Sequence, residues 1–96
     1  MDTTTTLNQI GRMNLLAISG GRWSLVSGTL VLPVGAGYSV EVDLDVASDT
    51  YTVRRMFRRG GKAFPKGEQT YVYCDEVGEV AYRASSFRSY AFGDAA

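Results

Sequence analysis

Three sets of side chains in this sequence could carry chemistry: the acids Glu41, Asp43 and Asp45, the thiol of Cys74, and a run of cations from Arg54 to Lys66. The acids alternate, so in an extended strand they share one face, where they could ligate a hard cation or act as an acid–base pair. The same alternation describes a solvated strand face paired with arginines, and no oxygen-rich loop accompanies it. Cys74 precedes a helical pattern, and a helix N-terminus favours the thiolate. The chain has no histidine, which removes the commonest general base, the usual zinc ligand and every Ser–His or Cys–His pair. With no imidazole to activate it, Cys74 reads as a small apolar residue packed where strand meets helix. The glycines of Ser19-Gly20-Gly21-Arg22 and Gly60-Gly61-Lys62-Ala63 do not make a phosphate loop. The first glycine of that motif would fall at Met56, and Ala63 stands where a hydroxyl is needed. The expectation is therefore a non-catalytic chain with no metal site and no cofactor.

The cations are more suggestive. Arg54, Arg55, Arg58, Arg59, Lys62 and Lys66 are interleaved with Phe57 and Phe64, and Tyr71 lies close behind. Such a segment could track a phosphate backbone and stack exposed bases. The plainer account makes Arg54 the partner of a neighbouring strand, the phenylalanines core, and Arg59 and Lys62 the solubilising tip of a hairpin. Both accounts predict that this segment folds as a strand, a tight Gly60-Gly61 turn and a returning strand.

The surrounding elements follow from the patterning. Thr6 and Gln9 have the spacing of a capping box for a short helix through Leu7 and Ile10, with Gly11 as its stop. Apolar character continues over Met13, Leu15, Leu16 and Ile18 and breaks at Ser19-Gly20-Gly21. The period then changes to two. Trp23–Val26 and Thr29–Leu32 flank Ser27-Gly28 as a hairpin, with Pro33 ending its second strand. From Tyr38 to Val46, Val40, Val42, Leu44 and Val46 alternate with the three acids, which predicts one core face and one wet face. A turn at 47–50 returns the chain through Tyr51 to Arg58. Pairing Val46 with Tyr51 places Asp43 opposite Arg54. Arg55 then falls beside Val53 and Phe57 on the apolar side, which calls for a bulge near Arg54-Arg55 or a sheet-edge position. Phe64-Pro65-Lys66-Gly67 interrupts the next strand before Glu68–Tyr73. Finally Val77, Val80, Ala81, Ala84 and Phe87 form a helical stripe with Asp75 as N-cap and Glu79–Arg83 as an i,i+4 pair, ahead of a loose tail from Ser89 in which Tyr90 and Phe92 could anchor.

The 96 residues suffice for one hydrophobic core and are expected to form a single domain over 1–96. The fold class is α+β: an antiparallel meander of about five strands, a short N-terminal helix, and a C-terminal helix packed on one sheet face. Val40, Val42, Leu44, Val77, Val80 and Phe87 are expected to share the core. The net charge is zero, which weakens the case for an obligatory polyanionic partner without excluding a local cationic field. A single cysteine rules out an internal disulfide. An acidic start with no apolar h-region, and no window near the roughly 20 apolar residues of a membrane span, lead to the expectation of a cytoplasmic protein without a membrane partner.

The runs NLLAISGGRW from Asn14, LPVGAGYSV from Leu32, DTYTVRR from Asp49 and VYCDEVGEVAYRAS from Val72 resemble a family of small, mostly uncharacterised proteins of actinobacterial phages and mobile elements. The resemblance spans Leu7 to Phe92 and contains no catalytic motif. It implies a setting, an accessory gene of a phage or plasmid, and no mechanism. Within that setting, compact size and the absent catalytic groups lead to the expectation of a non-catalytic protein of the bacterial host cell that binds a host or phage macromolecule. A protein partner is expected first, in one form as an inhibitor of a defence system such as CRISPR. The alternative is a nucleic-acid-binding module using the hairpin from Arg54 to Lys66.

Overall fold

A computed structural model describes residues 3–86. The chain runs α1 (Thr3–Ile10), α2 (Arg12–Ser19), β1 (Ser24–Val26), β2 (Thr29–Gly35), β3 (Tyr38–Asp45), β4 (Thr50–Arg59), β5 (Lys62–Val72) and α3 (Val77–Ser85). The five strands form one antiparallel sheet in sequence order, β1-β2-β3-β4-β5. This is the α+β meander that the patterning predicts, with a second N-terminal helix added. Gly11 ends α1 at a positive φ of 93°, and the apolar residues after it form α2 instead of extended chain. Phe87, Arg88 and the tail containing Tyr90 and Phe92 lie outside the described residues.

One sheet face carries the core. Leu30, Leu32, Val40, Val42, Tyr51, Val53 and Val72 pack with Ile10 and Ile18 of the N-terminal helices and with Val77, Val80, Ala81 and Ala84 of α3. These strand residues are in register across the ladders: Leu30 with Val42, Leu32 with Val40, Val42 with Val53, and Tyr51 with Val72. Period two therefore puts them all on the same side, where the 3.6-period stripe of α3 meets them. Leu44 packs partly buried at the margin of this cluster. Val46 is an exception to the expected alternation. It falls beyond β3 and is exposed, because the connection begins at residue 46.

That earlier turn sets the register of the central hairpin. Asp45 pairs with Thr50 and Glu41 with Arg54, two residues from the pairing expected from Val46 opposite Tyr51. A shift of two preserves which face each residue occupies but changes every cross-strand neighbour. The partner directly opposite Arg54 is therefore Glu41, and Asp43 lies diagonally. The same shift brings Tyr38 opposite Phe57 and Val40 opposite Arg55.

Other local expectations are corrected as well. Thr6 is interior to α1, where its hydroxyl contacts the Tyr51 phenol at 3.2 Å and so serves tertiary packing instead of a cap. The N-cap of α3 is Glu76, not Asp75, and the Glu76 carboxylate accepts from the Tyr73 backbone N–H at 3.3 Å. Pro33 does not end β2, which runs on to Gly35. Nor does Phe64–Gly67 interrupt β5, which is continuous. Pro65 is tolerated there because β5 is the edge strand among the described residues, paired on one side only. A bulge does fall near Arg54-Arg55, as expected, with its extra residue on the opposing strand. Between the pairs Arg54–Glu68 and Met56–Pro65, Lys66 and Gly67 together oppose Arg55. A second slip, between Tyr51 and Val53, accompanies Tyr71 at a φ of 54°.

Candidate binding surface

The cationic segment spans the far half of β4, the turn and the start of β5. Gly60 and Gly61 have φ of 61° and 80°, the pair of positive values that a two-residue hairpin turn needs to match strand twist. Because β4 is extended, its cations divide between the two faces of the sheet, and the structure treats the two groups differently.

Arg54 and Arg58 lie on the face away from the helices, together with Ser39, Glu41, Asp43 and Glu68. Arg54 bonds Asp43 and lies 3.9 Å from both Glu41 Oε1 and Glu68 Oε1. Arg58 donates to Glu41 Oε2 at 2.7 Å and to Ser39 Oγ at 3.2 Å. Thr29 donates to the other side of Asp43 at 2.7 Å. Glu41 and Ser39 are buried although no helix among the described residues packs on this face, since the long arginine side chains lie over them. The acids of β3 are thus committed to arginines. Asp45 accepts from the Ala47 N–H and the Ser48 hydroxyl and so shapes its turn. Among the described residues no three acids or thiols are placed to hold a metal ion.

Arg55, Arg59 and Lys62 lie on the helix side, in line with Tyr38, Phe57 and Phe64. Tyr38 pairs with Phe57, Phe57 with Phe64, and Arg59 with Lys62. The aromatic rings make a row across three strands, with centroids 4.8 Å apart for Tyr38–Phe57 and 6.4 Å for Phe57–Phe64. The Arg55 guanidinium sits 4.5 Å over the Tyr38 ring, a cation–π contact that is stronger when desolvated. Burial lowers the Arg55 pKa from its usual value, and the contact with Tyr38 works in the opposite direction. At this end the helices no longer cover the sheet. Tyr38 and Phe57 are half-buried, Phe64 is 42% exposed, and Arg59, Lys62 and Lys66 are exposed. None of these last three cations makes an ion pair among the described residues. Lys66 adds its charge from the bulge opposite Arg55.

The six cations named from the sequence therefore fall into three groups. Arg54 and Arg58 hold the outer face together, Arg55 is buried against Tyr38, and Arg59, Lys62 and Lys66 remain as the exposed cluster. Tyr38 was not recognisable as a member of this row, because only the true register sets it beside Phe57. Tyr71 is exposed but lies roughly 20 Å further along β5 at strand rise, away from the row. Cys74 is also exposed and precedes α3 by three residues, so neither the packed position nor the helix-terminal one applies.

No protein-family model, no curated protein and no solved structure matches the chain. No helix among the described residues is long and apolar enough to cross a membrane.

Proposed function

We propose that this chain is a non-catalytic binding protein that engages an anionic macromolecule through Arg59, Lys62 and Lys66. The observation that carries the reading is the sorting of charge between the two sheet faces. Glu41, Asp43 and Glu68 all lie opposite the helices with Arg54 and Arg58, so a chain of zero net charge presents an exposed cationic cluster with no acid in register beside it among the described residues. Neighbouring cations repel one another, and an anionic partner relieves that repulsion. The absence of histidine from the sequence and the commitment of the β3 carboxylates to arginines support a role in binding rather than catalysis. The resemblance to phage and mobile-element proteins supports a host or phage macromolecule as the partner, and interference with a host defence system is one use of such binding.

The test compares affinity isolation from a bacterial lysate by the wild type and by the triple variant Arg59→Ala, Lys62→Ala, Lys66→Ala, with and without nuclease. Arg58 is excluded from the set because its removal would disturb Glu41. Partners held by the wild type and lost by a folded triple variant support the reading. A triple variant that captures the same partners would refute it.

A further inference from the structure

We infer that the partner is single-stranded nucleic acid, its bases stacking on Phe64 and the edge of the Phe57–Tyr38 row while Arg59, Lys62 and Lys66 hold the phosphates; this rests on the reading above. An acidic protein would need only the cations. What separates the two is the row of aromatic rings in register on the same face, running from half-buried Tyr38 and Phe57 to Phe64 in the open. A large aromatic side chain left 42% exposed between cations is poor solubilising chemistry. It is, however, what a base needs, since every base offers a π-face and its phosphate lies one backbone bond system away. Duplex ends aside, paired bases present no free face to such a ring, so stacking selects the single strand. The platform is also stiff. Tyr38 is held in contact with both the Arg55 guanidinium and the Phe57 ring, and Gly37 lets the β2–β3 turn close on Phe57. A Cβ at Gly37 would lie 3.0 Å from the Phe57 ring and 2.7 Å from the Arg58 carbonyl. Rings held before binding need not be ordered by it.

The experiment uses the full chain and labelled oligothymidine and oligouridine of about fifteen nucleotides, the upper range that one small platform spans, with a duplex of the same length as reference, read by fluorescence anisotropy. The single strand is expected to bind several-fold more tightly than the duplex. Phe64→Ala should weaken it by at least about fivefold, while Phe64→Trp retains it. The slope of log affinity against log salt should be about −2, as three phosphate contacts on a single strand require, and should flatten in the triple variant. Equal binding of duplex and single strand, or indifference to Phe64→Ala at unchanged thermal stability, overturns the inference but leaves the cationic surface in use. No oligonucleotide binding, with nuclease-resistant partners still lost by the triple variant, overturns it in favour of an acidic protein. Only a triple variant that keeps its cellular partners refutes the cationic reading as well.

Discussion

Arg58 donates through Nη2 to Glu41 Oε2 at 2.7 Å, reaching diagonally past Ser39 to a carboxylate on the sheet face away from the described helices. Glu41 is only 7% exposed, and a carboxylate so enclosed is stable only while its charge is matched. Arg58→Ala is therefore expected to lower stability by about 1–2 kcal/mol, a moderate loss because Arg54 stays near Glu41. Denaturant titration of Arg58→Ala, Glu41→Gln and the double variant should give a coupling of about 1 kcal/mol. Additive losses would show that the two side chains do not depend on one another.

The N-terminal helices meet α3 at Gly78. A Cβ built there would lie 2.3 Å from the Ile10 carbonyl oxygen and 2.6 Å from Asn14 Nδ2, and that amide is already bonded to the Ile10 carbonyl at 2.9 Å. Helix propensity alone favours Gly78→Ala by about 1 kcal/mol. The contact is expected to reverse the sign, with a net loss of about 2 kcal/mol from overpacking against backbone that cannot swing aside. A thermal melt at or above the wild-type temperature would mean that α3 is not seated against Ile10.

Tyr51 ties the sheet to α1, with its ring in the core and its hydroxyl donating to Gln9 Oε1 and contacting Thr6 Oγ1. Tyr51→Phe leaves the Thr6 hydroxyl buried without that partner and should cost about 1–2 kcal/mol by urea titration. Adding Thr6→Val to that variant should recover part of the loss, because two apolar groups then meet where two polar ones did. Failure to recover any of it would indicate that Thr6 owes its place to packing alone.

Much of the fold was legible in the sequence because periodicity is a local property. The alternation over Tyr38–Asp45, the stripe over Val77–Ala84 and the glycine pairs at the turns each state a period or a backbone angle that a few neighbouring residues enforce. From these the meander, the α3 docking face and the division of β3 into a core side and an acidic side all follow. Face assignment also survived an error in register, since the true pairing differs from the expected one by two residues and period two is blind to that difference.

Who meets whom was decided only by the tertiary structure. The connection opens at Val46, one residue before the turn the alternation implied, and with that choice Arg54 faces Glu41, Arg55 faces Val40, and Tyr38 joins Phe57 and Phe64 in one row. The two-residue bulge at Lys66 and Gly67 opposite Arg55 likewise depends on how β5 lies against β4. In sequence the six cations are one run. In space Arg54 and Arg58 neutralise buried and half-buried acids, Arg55 is clamped on Tyr38, and Arg59, Lys62 and Lys66 alone stay exposed without an ion pair among the described residues. Composition fixes how many charges a chain carries, but the energy of each depends on distances of a few ångströms, and those are set by strand pairing across residues far apart in the sequence.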